Sequence, residues 1–123
     1  MLEKIKGYLS SQGFENIYID MMPAAEKVKD AVGILEWDHT RSQPTGEASH
    51  YVQLQVRSLS YDAAKERCSR LLRLLDSGMN ERLISLDQET SCVVRPRRGP
   101  LLLERGAGYT TFYGEIVLWT NEK

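Results

Sequence analysis

Between His50 and Ser77 the apolar residues change their spacing from two to about 3.6 within a few positions, and little else can satisfy both halves but a strand joined to a helix. Val52, Leu54 and Val56 fall on one side, with Tyr51, Gln53, Gln55 and Arg57 on the other. That alternation belongs to a strand with one buried and one polar face. Ser60 then stands where a helix cap is needed, and Asp62 follows in the first turn, where its charge suits the helix dipole. Ala64, Cys68, Leu71, Leu72 and Leu75 make an apolar stripe at helical spacing, and Gly78 offers a stop. The Ser58-Leu59-Ser60 junction is short enough for the helix to fold back across its own strand. The stripe is therefore expected to pack on Val52, Leu54 and Val56 as the core.

Residues 1–12 read as a short amphipathic helix that buries Leu2, Ile5 and Leu9 and stops at Gly13. Residues 16–20 (Asn-Ile-Tyr-Ile-Asp) alternate as a short strand with Ile17 and Ile19 inward, closed by Met21, Met22 and Pro23. A helical turn is expected over 24–29, and a second strand over 32–38 with Ile34 and Trp37. Residues 39–49, polar and carrying Pro44 and Gly46, read as a loop that a partner would order. Two short strands follow at 83–86 and 92–95. Residues 97–108 read as a second long loop, rich in arginine, glycine and proline, before a long final strand over 109–120. Strands and helices do not alternate strictly. The expected fold is thus α+β: a single domain, residues 1–123, with a mostly antiparallel or mixed sheet, two helices packed on one face, and long loops.

Composition narrows the classes of function. The chain has 123 residues, 41% hydrophobic and 27% charged, as suits one soluble globular domain. Its net charge of −1 argues against a general nucleic-acid binder. No apolar run approaches the roughly 20 residues that span a bilayer. Glu3, Lys4 and Lys6 interrupt the first apolar residues, so no signal peptide is expected and the cytoplasm is the expected place of synthesis. Cys68 on the helix stripe, and Cys92 with it, read as reduced core thiols.

No arrangement of catalytic side chains stands out. His39, His50, Cys68 and Cys92 lack any metal-ligand spacing, so neither a metal nor a cofactor is expected. Gly106-Ala107-Gly108 leads into a strand, whereas phosphate-cradling glycines lead into a helix. Ser85 and Ser91 sit in no nucleophile motif. Asp20, Glu36 and Asp38 are not singled out from other strand-end carboxylates. The remaining signal is the basic segment. Arg95, Arg97, Arg98 and Arg105 face only Glu104 over residues 94–108, a net +3, while residues 1–50 carry eight acids and five bases, a net −3. Leu101, Leu102 and Leu103 lie within it; they either tuck over the sheet edge or are buried by another chain. Arg95, Arg97, Arg98, Leu101, Leu102, Leu103 and Arg105 are therefore the expected subunit or partner interface.

Several of these elements together are similar to one family. They are the short first helix over 2–9 and the Ile17-Tyr18-Ile19 strand ending near Met22-Pro23. They continue with Tyr51-Val-Gln-Leu-Gln-Val-Arg-Ser58 running into the Tyr61-Asp-Ala-Ala-Lys helix, then Val93-Val-Arg-Pro96, a glycine-bearing loop, and the long terminal strand. In this order, over nearly its full length, the chain resembles the tail terminator or tail-completion proteins of long-tailed bacteriophages, also called minor capsid proteins. The resemblance implies a non-enzymatic virion subunit assembled in the host cytoplasm into a homohexameric ring. Such a ring caps the tail tube and presents the surface that joins the head. The implied partners are other copies of the chain, the tail tube protein and head–tail connector proteins, with DNA only as cargo and no membrane. A head-completion protein of the neck is the alternative within the virion. A small enzyme gripping phosphate through Arg95, Arg97 and Arg98, or a nucleic-acid module, are alternatives outside it.

Overall fold

The computed structural model describes the backbone of residues 1–40 and 47–121, and the side chains of all of these except 38–40, 47 and 121. The strand-to-helix unit forms as its two periods require. Strand β3 (Glu47–Ser58) and helix α2 (Tyr61–Leu74), counted in chain order, meet at Ser60, whose Oγ accepts the Ala63 N–H at 3.1 Å. The helix ends at Leu74, ahead of Gly78, and Leu75 is still buried with the stripe.

Around this unit stand α1 (Leu2–Ser11), β1 (Ile17–Ile19), β2 (Ala31–Thr40), β4 (Ile84–Ser85), β5 (Ser91–Gly106) and β6 (Tyr109–Asn121). The six strands form one sheet in the order β1-β2-β3-β6-β5-β4. β1 runs parallel to β2 and every other pair is antiparallel, so the sheet is mixed. Residues 24–28 make the single turn expected of them, through Lys27 and Val28 N–H groups donating to the Ala24 carbonyl.

Both helices lie on one face. The register aligns Val32, Val56 and Phe112 in one row and Ile34 and Leu54 in the next. These join Ile5 and Leu9 of α1 and Ala64, Cys68, Leu71 and Leu72 of α2 in one buried cluster. Each fully buried aliphatic or phenyl side chain contributes about 1.5–3 kcal/mol relative to an exposed one. Ile19, expected inward like Ile17, is only half-buried, because β1 is short and lies at the sheet edge.

Strand runs into both expected loops. His39, Thr40 and Glu47–Ser49 belong to β2 and β3, with His39 opposite His50; residues 41–46 lie outside the described residues. The supposed loop over 97–108 is the far half of β5 and the turn into β6. Its register slips between Pro96 and Arg98, between Arg98 and Leu101, and between Leu102 and Glu104, and the Gly99–Pro100 peptide is cis. Proline reads as a loop signal because it lacks the N–H that a central strand needs. At an edge that N–H has no strand to meet, so proline is tolerated.

Candidate interaction surface

All the expected interface residues lie on β5, Arg95 in its first half and the other six in the far half. Leu101, Leu102 and Leu103 are 43%, 46% and 46% exposed. Neighbouring strand residues face opposite ways, so similar exposure of all three means that neither face of β5 is covered there. Of the two alternatives left open for the leucines, tucking over the sheet is not what the fold adopts.

The arginines are not simply solvated. Arg95 Nη2 lies 3.2 Å from Glu81 Oε1, and Arg98 Nε lies 3.3 Å from Glu115 Oε1. Arg97 stacks over Tyr51, 5.1 Å from the ring centroid, and Arg105 over Tyr61 at 5.4 Å. Two of the four charges are thus opposed by acids outside the segment, and the other two rest on neutral rings. An exposed pair such as Arg95–Glu81 contributes about 0–1 kcal/mol, so exchanging it for a contact with another chain costs little, whereas Arg98 is held by a largely buried Glu115.

A second surface escaped the sequence reading: the sheet face away from the helices. Trp37 bulges from β2 between Glu36 and Asp38 and packs against Tyr51, ring centroids 5.5 Å apart. Trp119 is also partly exposed, and Val117, opposite Tyr51, is buried on this face beneath its neighbours. A shallow depression of ≈ 340 Å³ adjoins Trp37, lined also by Leu35, Gln53, Arg98 and Glu115. Alternation in the sequence marks two faces, but it does not tell how much of the second one neighbours cover.

The other candidates for chemistry are scattered. Burial pushes the Cys68 thiol up to about 12 and the Cys92 thiol up to about 11, and the two are not joined in a disulfide. His50 is buried, its Nδ1 2.6 Å from Glu36 Oε2. The side chains of His39 and Asp38 lie outside the described residues. Among the described residues no three His, Cys, Asp or Glu side chains could share a metal ion, and no helix is long and apolar enough to cross a membrane. Ala107 and Gly108 form the turn of the β5–β6 hairpin, with Gly108 at φ +77°. Ser85 and Ser91 face each other across β4 and β5, their hydroxyls 3.3 Å apart. No protein-family model matches the chain, and no curated protein matches it.

Proposed function

We propose that this chain is a structural subunit that assembles with copies of itself into a ring. The ring is of the kind that caps the tail tube of a long-tailed bacteriophage and offers the joining surface to the head. The observation that carries the reading is the run of three half-exposed leucines on β5, flanked by arginines. Exposed apolar surface costs ~25 cal/mol per Å², and a contiguous stretch of it in a folded domain marks a contact surface. The α+β fold, with both helices on one face, agrees with the subunit that the family resemblance implies. The tail tube protein and the head–tail connector proteins are then the outer partners, and DNA passes through as cargo.

The test is solution mass by light scattering over a concentration series, with negative-stain images of the largest species. A six-membered ring is expected. A chain that stays monomeric throughout overturns the reading. Capture of the tail tube protein, rather than a portal or adaptor protein, by the assembled ring separates the tail side from the head side of the joint.

A further inference from the structure

The sheet ends in two unlike edges. At one end is β1, whose strand neighbour among the described residues is β2 alone. Glu15 and Asp20 bracket it, both exposed and neither in an ion pair among the described residues. At the other end β4 covers β5 only at Ser91 and Cys92. Ser77 takes the next step: its N–H donates to the Val94 carbonyl and its Oγ accepts the Val94 N–H, each at 2.8 Å. Beyond Val94 no strand pairs with the outer side of β5 among the described residues. Pro96 and Pro100 have no N–H to offer, so the stretch of this edge that keeps every N–H is 101–106, and at Pro100 another strand meets a carbonyl alone.

We infer that this edge of β5 receives the β1 edge of a second copy of the chain, joining the two sheets head to tail. The inference rests on the self-assembly reading and names the surfaces that meet. An unpaired apolar edge is a template for another strand. Charge selects which one. Pairing β5 with β5 would set Arg97 and Arg105, both unopposed by an acid, against the same residues of the other copy. The β1 edge brings Glu15 and Asp20 instead, and opposite charges across strands are favoured over like ones.

The strand directions agree. Following the pairings across the sheet, β1 and β5 run in opposite senses. A copy rotated about an axis along the strands therefore brings its β1 antiparallel to β5. With Tyr18 set against Leu101, Asp20 falls at Gly99, beside Arg97 and Arg98, and Glu15 falls at Glu104, beside Arg105. The Glu104 carboxylate at that end already accepts the Tyr109 hydroxyl at 2.6 Å. Tyr18 aligns with Gly33 and Gln55, and Leu101 with Tyr113 opposite Gln55, so Tyr18 and Leu101 share the helix-free face. They are the two side chains to meet. Joining unlike edges gives a heterologous contact, which closes into a ring or runs on as a filament.

The test mixes Tyr18→Cys subunits with Leu101→Cys subunits under mild oxidation and identifies the linked chains by mass. Cys68 and Cys92 stay in place, since both are buried. A disulfide between unlike chains is expected, with loss of linkage when either variant is alone. If Tyr18→Cys fails to fold, Glu15→Cys with Leu103→Cys repeats the test on exposed positions. Oligomers that form with no such disulfide, or Leu101→Cys linking to itself, overturn the edge joint and leave self-assembly standing. Linked open filaments uphold the joint and overturn the ring, and a monomer at every concentration overturns both.

Discussion

Leu72 is 4% exposed and lies over Gly114 of β6; a Cβ on Gly114 would come within 2.7 Å of Leu72 Cδ1. The glycine leaves the hollow that the leucine fills, so the two positions are one packing unit. Leu72→Ala is expected to cost about 2–5 kcal/mol, read as a lower urea midpoint at unchanged slope. Gly114→Ala is expected to destabilise on its own and to cost less in the Leu72→Ala background, because the clash is then gone. Equal cost in both backgrounds would show that the sites do not couple. The buried thiols make a second prediction. Their ordinary pKa is 9.0, and burial raises it to about 12 for Cys68 and about 11 for Cys92. The folded state therefore holds these protons more tightly than the unfolded chain. Their contribution to stability is whole below pH 9, falls as pH rises above it, and stops falling past the folded values. At neutral pH alkylation followed by mass should modify neither thiol until denaturant is added.

At the scale of elements, what could be read from the chain was what neighbours in sequence decide. Val52, Leu54 and Val56 with the α2 stripe declare themselves because two clean periods adjoin, and Ser60 marks the boundary between them. The far half of β5 did not, since Pro96, Gly99 and Pro100 carry the local signature of a loop. They are tolerable in a strand because no outer strand neighbour stands beside them among the described residues. The partners of these arginines were equally hidden: Glu115 and Tyr51 reach Arg98 and Arg97 across the sheet, while Glu81 reaches Arg95 from a turn and Tyr61 reaches Arg105 from α2, and no local pattern encodes any of the four. Arg57 is another long-range case. It falls on the polar face of β3, yet it is buried, and its Nη2 donates to the carbonyls of Pro23 at 2.6 Å and Val28 at 2.5 Å. It thereby pins the connection between β1 and β2 to the sheet. Arg57→Leu is expected to remove two charge-assisted bonds, each contributing about 1.5–3 kcal/mol. Amide exchange over 20–30 should speed up while β3 and β6 stay protected. Uniform loss of protection would mean that Arg57 supports the whole sheet rather than this connection.

At the scale of the molecule, one helix-covered face holds the core, and among the described residues the sheet leaves an unpaired edge at β1 and along the far half of β5, with an aromatic patch on the open face. The self-assembly proposed above can therefore be tested without touching the core, provided the substitution avoids internal partners. Arg98→Glu is a poor probe, because it would set two acids together where Arg98 now pairs with the largely buried Glu115. Leu102→Asp is the cleaner one, since Leu102 is 46% exposed and lies at the unpaired edge. Its circular dichroism and thermal midpoint should stay close to those of the parent chain, while light scattering should show a monomer at concentrations where the parent assembles. Salt supplies an independent check. If Arg97 and Arg105 meet carboxylates of a neighbour, assembly should weaken as ionic strength rises from about 0.01 to 0.15 M, over which the screening length falls from about 30 to 8 Å. It should not vanish, because the leucines contribute an apolar term that salt does not screen. Unchanged assembly of Leu102→Asp would remove β5 from the interface and leave the Trp37 and Trp119 face as the surface to mutate next.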